Sequence, residues 1–240
     1  MSEHSLKTTA LTVSNGGSEK TVKEEKDVTY DKLFLLFIMG SLLGVIIEGC
    51  YCLFKKGHWE SHVVSVIGHF NILYGSGAVL FFAGAALLKK KHIVLRATIL
   101  MLIATVLEFI VGLILKYGLG MRAWNYENKP LNIDGIICVR FSLMWGLAAL
   151  AFCLIFPLVN KFLNKFKGKA VHFACIGFGI FMAVNLSITG MAITRWSHRH
   201  YGDIADSKFE LLIDRTTPDD WMRSRFMEWE FLDEVPKKNK

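Results

Sequence analysis

About five stretches of this chain run for roughly 18 residues or more with almost no charge. They cover residues 33–54, 68–88, 93–117, 136–159 and 171–194. A helical run of that length matches the hydrocarbon core of a bilayer, and a helix satisfies its own backbone polar groups in lipid. A soluble domain rarely holds several such runs, even with 52% of its 240 residues hydrophobic. The expected fold class is therefore all-α: a polytopic membrane helix bundle of about five transmembrane helices. A re-entrant or interfacial element is expected within residues 57–75, where the chain is amphiphilic and Gly-rich.

The flanks differ in kind. Residues 1–29 are polar, mixed in charge and without a signal-peptide core, which predicts a disordered cytoplasmic leader. Residues 30–196 form the transmembrane domain. Residues 197–240 form a polar tail, whose Trp221, Phe226, Trp229 and Phe231 suit an interfacial helix or a peripheral lid.

Orientation follows from the bases. The net charge of +7 lies mainly in short connections, where it reports topology rather than a nucleic-acid partner. Lys89, Lys90 and Lys91 close the second run, and Lys161, Lys165, Lys167 and Lys169 separate the last two. The positive-inside rule puts both groups in the cytoplasm. The N-terminus is then cytoplasmic and, with five spans, the C-terminus lies outside the cell membrane.

That orientation sets polar groups at one level. Glu48 and Glu108 lie late in the first and third runs. Asn71 and Tyr74 lie at the start of the second, and Asn132, Ser142 and Trp145 at the start of the fourth. All approach the outer face. An acid within a span costs about 2.5–3.5 kcal/mol on insertion scales, so it normally faces the bundle interior with a partner. Two such acids predict either a functional cavity or a structural pair that locks helices. The stretch from Trp124 to Gly146 is too polar for a plain span and too apolar for a plain loop, and adds Trp124, Asn125 and Tyr126 to the candidate lining. Gly40 and Gly44 have the spacing of a close helix crossing, so Gly44→Leu should harm packing and Val45→Leu should not.

Other chemistries find little support. The five cysteines fall in or beside apolar runs without a CxxC pair, which fits small packing residues. His58 and His62 share a helical face with Glu60 between them, but no HExxH pattern is present, and no metal ligand and no cofactor is assigned. No GxSxG elbow marks a nucleophile, and no residue is assigned as catalytic. The glycines Gly44 and Gly49 have phosphate-loop spacing, yet Cys50 and Tyr51 stand where Lys and Ser/Thr are required. Any ATPase would be a separate subunit.

At these positions the sequence resembles the family described as Putative ABC-transporter type IV, bacterial multi-pass membrane proteins usually named as ABC transporter permeases. The family's first-span Glu is matched by Glu48 and its Leu-Glu pair by Leu107-Glu108. Its Gly-Pro-x-x-Pro-Ile-Tyr-Gly-like element is matched in part by residues 68–75, with His69 and Ile72 in place of the prolines. Its Trp-Asp-Tyr, Asn-x-x-Gly-x-Ile-Cys and Ser-x-x-Trp-Gly elements are matched by Trp124 to Tyr126, Asn132 to Cys138, and Ser142 to Gly146. Asn125 replaces the Asp of the first of these, and Asn185 an Asp of the last span. The resemblance implies a permease-like role.

The expected function is thus a permease component with an outward-facing polar cavity, lined by Glu48, Asn71, Tyr74, Glu108, Trp124, Asn125, Tyr126, Asn132, Ser142 and Trp145. Acids would neutralise a cationic group and aromatics stack on it. Its partners would be membrane lipids, a separate ATPase subunit and further copies of itself. The rival is a membrane-embedded enzyme or accessory protein acting on a lipid or cell-envelope precursor.

Overall fold

The computed structural model describes residues 27–59 and 62–234. Most of the predicted leader and Glu60 lie outside the described residues. Five helices build the bundle: α1 (Tyr30–Lys56), α2 (Ile72–Leu87), α3 (Ile93–Leu113), α4 (Val139–Leu163) and α5 (Lys169–His200). A π-turn, Ile114–Gly118, extends α3. Two short helices follow in the tail, α6 (Lys208–Thr216) and α7 (Asp219–Arg225). Strands of two residues pair antiparallel: β1 (Met121–Arg122) with β4 (Glu230–Phe231), and β2 (Asn132–Ile133) with β3 (Ile137–Cys138).

Among the described residues, four helices (α1, α3 with its π-turn, α4 and α5) are long and apolar enough to cross a membrane. α2 is apolar but has 16 residues, about 24 Å of rise, short of a full crossing. The predicted second run began at Gly68; the helix begins at Ile72. Asn71 stops it there, because its side chain accepts the Leu73 amide at 3.1 Å as an N-cap.

Residues 62–71 are therefore non-helical, and half of them are buried. Their backbone groups are satisfied by other elements, as non-helical chain at membrane depth requires. Asn185 of α5 accepts from the Ile67 amide at 3.1 Å and donates to the Ile67 carbonyl at 2.8 Å. Thr189 accepts from the Val66 amide at 2.9 Å. Asn71 donates to the His62 carbonyl at 2.7 Å. The amide of Asn185 supplies donor and acceptor at once, which an ionised Asp there could not do.

α1 packs along α2 and α3 along α4, with α2 bridging to α4 and α5 lying against α1. The main core contains Phe82, Ala85, Leu100, Ala149 and Leu163. Large apolar side chains such as Ile103, Val106, Leu154, Leu158, Ile180 and Val184 stay exposed. Such faces are a liability in water and the ordinary surface of a helix in lipid. A second core joins the end of α5 to the tail: Trp196 packs with Met121, Ile213, Met222, Phe226 and Phe231. The tail is thus a folded cap on one end of the bundle. At the other end Asp27 accepts from Lys89 at 2.8 Å and from Asn160 at 3.1 Å.

The close crossing of α1 and α2 is steric. A Cβ on Gly44 would sit 2.3 Å from the Tyr74 ring, and one on Gly40 2.8 Å from the Ala78 Cβ. Gly44→Leu is expected to destabilise by about 1–3 kcal/mol, the usual cost of overpacking. Val45 is itself buried, so it is a poor control, contrary to the sequence expectation. Ile47, 62% exposed, is the right one. Ile47→Leu should stay within about 0.5 kcal/mol in thermal unfolding. Equal tolerance at both positions would refute the close crossing.

Candidate functional site

The late halves of α1 and α3, the starts of α2 and α4, the loop before α4 and the capping tail meet at one end of the bundle. Two polar clusters lie there.

The first is centred on Glu108, buried at 5% exposure. Its two carboxylate oxygens accept different bonds. Tyr126 Oη donates to Oε1 at 3.1 Å, and Trp145 Nε1 donates to Oε2 at 3.0 Å. Tyr126 is stacked on Phe141, with ring centroids 4.4 Å apart. Trp145 sits edge-on to Phe81. The donors are thus fixed by packing as well as by the acid. Burial, with the Glu108 and Glu48 carboxylates nearby, pushes the Tyr126 hydroxyl well above the usual phenol range.

The second cluster is centred on His62, whose side chain is 6% exposed. Its Nδ1 lies 2.6 Å from Glu228 Oε2 and 3.0 Å from Glu48 Oε2. Its Nε2 lies 3.2 Å from Cys52 Sγ. Tyr74, on the first turn of α2, lies near the Glu48 carboxylate. The charge of Glu48 acts on both Tyr74 and Tyr126, so the clusters share one region of the protein.

The other candidates have different places. Trp124 Nε1 donates to the Ile136 carbonyl at 2.8 Å. Asn125 accepts from the Glu127 amide at 2.8 Å in a local turn. Asn132 donates to the Lys129 carbonyl at 2.8 Å and accepts from the Gly135 amide at 3.0 Å. Asn125 thus holds the turn before the β2–β3 hairpin, and Trp124 and Asn132 hold the hairpin itself. Its turn residues Asp134 and Gly135 have φ of 56° and 68°, as a tight primed turn requires. Lys116 and Tyr117 bond the Asp134 carboxylate and hold it below its ordinary pKa. Asn71 is spent on the α2 cap and the His62 carbonyl. Ser142 is half-buried on α4 and joins neither cluster. A shallow cleft beside the hairpin, lined by Lys116, Arg122, Trp124, Asn125 and Glu127, does not reach Glu48 or Glu108. Arg122 binds Glu230 there, at 2.9 Å.

His62, Cys52 and Glu228 were not among the sequence candidates. In sequence His62 is weighed as a metal ligand beside His58 and set aside for want of a motif, and nothing local marks Glu228, 166 positions away.

The fold and its polar end define an all-α membrane protein with Glu108 buried and Glu48 half-buried at one end of the bundle. The chain belongs to the family described as Putative ABC-transporter type IV, which it matches over residues 35–190. That span includes Glu48, His62, Tyr74, Glu108, Tyr126 and Trp145 and ends before Glu228. No curated protein and no solved structure matches it. Family and helices make it a membrane protein of a transport-related family.

Proposed function

We propose that this chain is the permease component of a transport system, with its binding region at the polar end of the bundle. The observation that carries the reading is Glu108: a buried carboxylate with both oxygens addressed by rigid aromatic donors, in the region that also holds Glu48. Such acids suit a cationic group on the transported molecule, and Tyr74, Tyr126 and Trp145 suit its apolar flanks. The lysines at 89–91 lie at the opposite end from the site. By the positive-inside rule the site then faces outward, and the lysine end faces a cytoplasmic ATPase subunit.

The test is purification of the tagged chain from its native membranes in mild detergent. The expected result is a stoichiometric nucleotide-hydrolysing subunit, with a Cys placed at Lys90 labelled only from the cytoplasmic side. A chain that purifies without any ATPase, or that is labelled at position 90 by an outside-confined reagent, would overturn the reading.

A further inference from the structure

Three distant segments converge on the second cluster: α1 with Glu48, the buried loop before α2 with His62, and the tail after α7 with Glu228. The loop is held by Asn185 and Thr189. The tail is docked on the same loop, because Arg225 donates to the carbonyls of Ser65 and Gly68. The loop and the tail are thus held by bonds outside the three side chains.

Their geometry is hard to satisfy with protons alone. His62 Nδ1 carries at most one hydrogen. It meets hydrogen-bond geometry toward Glu228, yet the Glu48 oxygen also lies 3.0 Å from the same nitrogen. Two carboxylates therefore converge on one ring atom, and close like charges cost energy. The three ligand atoms lie within 4.8 Å of one another.

We propose that Glu48, His62 and Glu228 form a binding site for a first-row divalent cation, with Zn2+ the best match. One imidazole nitrogen and two carboxylate oxygens are donors that Zn2+ uses at about 2.0–2.2 Å, and Mn2+ and Co2+ accept the same set. The ion replaces the shared proton and neutralises both acids. Cys52 holds the outer nitrogen: when Nε2–H donates to its sulfur, the Nδ1 lone pair is free for the metal. Ligating histidines are commonly anchored through their second nitrogen in this way. The Glu48 and Glu228 side chains are 32% and 38% exposed, which gives the ion an access path. Three protein ligands leave coordination positions open, and the ion would clasp the tail to the bundle.

The inference stands apart from the transport reading, because it is tested by binding to the purified full-length chain. After stripping with a chelator, the protein is titrated with Co2+ and followed by visible absorption, then with Zn2+ by calorimetry. One equivalent of Co2+ should give ligand-field bands that Zn2+ abolishes, and Zn2+ should raise Tm. Glu228→Gln changes a partly exposed tail residue and should fold; it is expected to weaken Zn2+ binding at least about tenfold. His62→Gln should abolish the Co2+ bands. Glu127→Gln, in the neighbouring loop, should change nothing. Absence of Co2+ bands and of Zn2+ binding in the wild-type protein would overturn the proposal and leave a protonated His62 clasp. Unaltered binding in either Glu228→Gln or His62→Gln would overturn it as well.

Discussion

Asp214→Ala is expected to destabilise the cap by about 3–5 kcal/mol, the usual cost of removing one partner from a buried ion pair. Arg195, on α5, is 5% exposed. Its Nε and Nη2 donate to the two oxygens of Asp214 at 3.0 and 2.7 Å, a fork that fits a carboxylate edge. Arg199, one turn further along α5, donates to Oδ1 at 2.5 Å. One acid of α6 thus binds two guanidiniums of α5. Arg199 retains Asp219 and the Thr217 carbonyl when Asp214 is lost. Arg195 retains no second hydrogen-bonded carboxylate among the described residues, so its charge is left buried. The effect should be read in the fluorescence of Trp196, 1% exposed in the core between α5 and the tail. Its emission should shift to the red, and the cap should unfold before the bundle. The pH dependence follows from the same contacts. Arg195 first, then Arg199, holds the Asp214 carboxyl below the ordinary carboxylate range. A depressed folded pKa means that the stabilisation is present at neutral pH and is lost as pH falls through that lowered value. Wild-type unfolding and unchanged emission in Asp214→Ala would show that the cap does not depend on this pair.

The second large effect is expected at Glu108, where Ala and Gln should diverge. Glu108→Ala leaves the Tyr126 hydroxyl and the Trp145 indole N–H without an acceptor and opens a void. Two orphaned buried donors cost about 2–6 kcal/mol together. Glu108→Gln keeps the shape, and its bonds can be counted. The indole N–H only donates, so it must take the Gln carbonyl oxygen. The Gln amide then donates to the Tyr126 oxygen, which accepts as readily as it donates. Glu108→Gln should therefore unfold within about 1 kcal/mol of the wild-type protein. Under the proposed function it should nevertheless lose substrate-stimulated ATP hydrolysis in the assembled transporter, because the charge is gone. If Glu108→Gln hydrolyses ATP like the wild-type protein and only Glu108→Ala fails, the acid is a structural lock between α3, α4 and the loop. Two bases near the polar stretch, Arg122 and Arg140, could supply counter-charges for the acids. Arg122 is occupied by Glu230 and Arg140 is exposed, so neither takes that part in the structure.

What the chain settles by itself is what depends on local composition. Long uncharged runs report a lipid neighbour residue by residue, so the all-α membrane bundle was legible without coordinates. The alternation of helix direction likewise brought the late halves of α1 and α3 to one end, and Glu48 and Glu108 with them. Tertiary structure decided how each polar group is used. Trp124, Asn125 and Asn132 have the composition of a lining, yet Trp124 and Asn132 are bonded to the β2–β3 hairpin and Asn125 within the turn before it, because tight turns need those acceptors and donors. The second run reads as starting at Gly68 with polar first turns, yet Asn71 caps the helix at Ile72, and Asn185 and Thr189 hold Val66 and Ile67 in another conformation. The tail is mixed in charge, yet its aromatics close a core with α5. Glu228 meets His62 across 166 positions of sequence. No periodicity or spacing carries that contact, since it exists only once the cap has docked on the loop before α2.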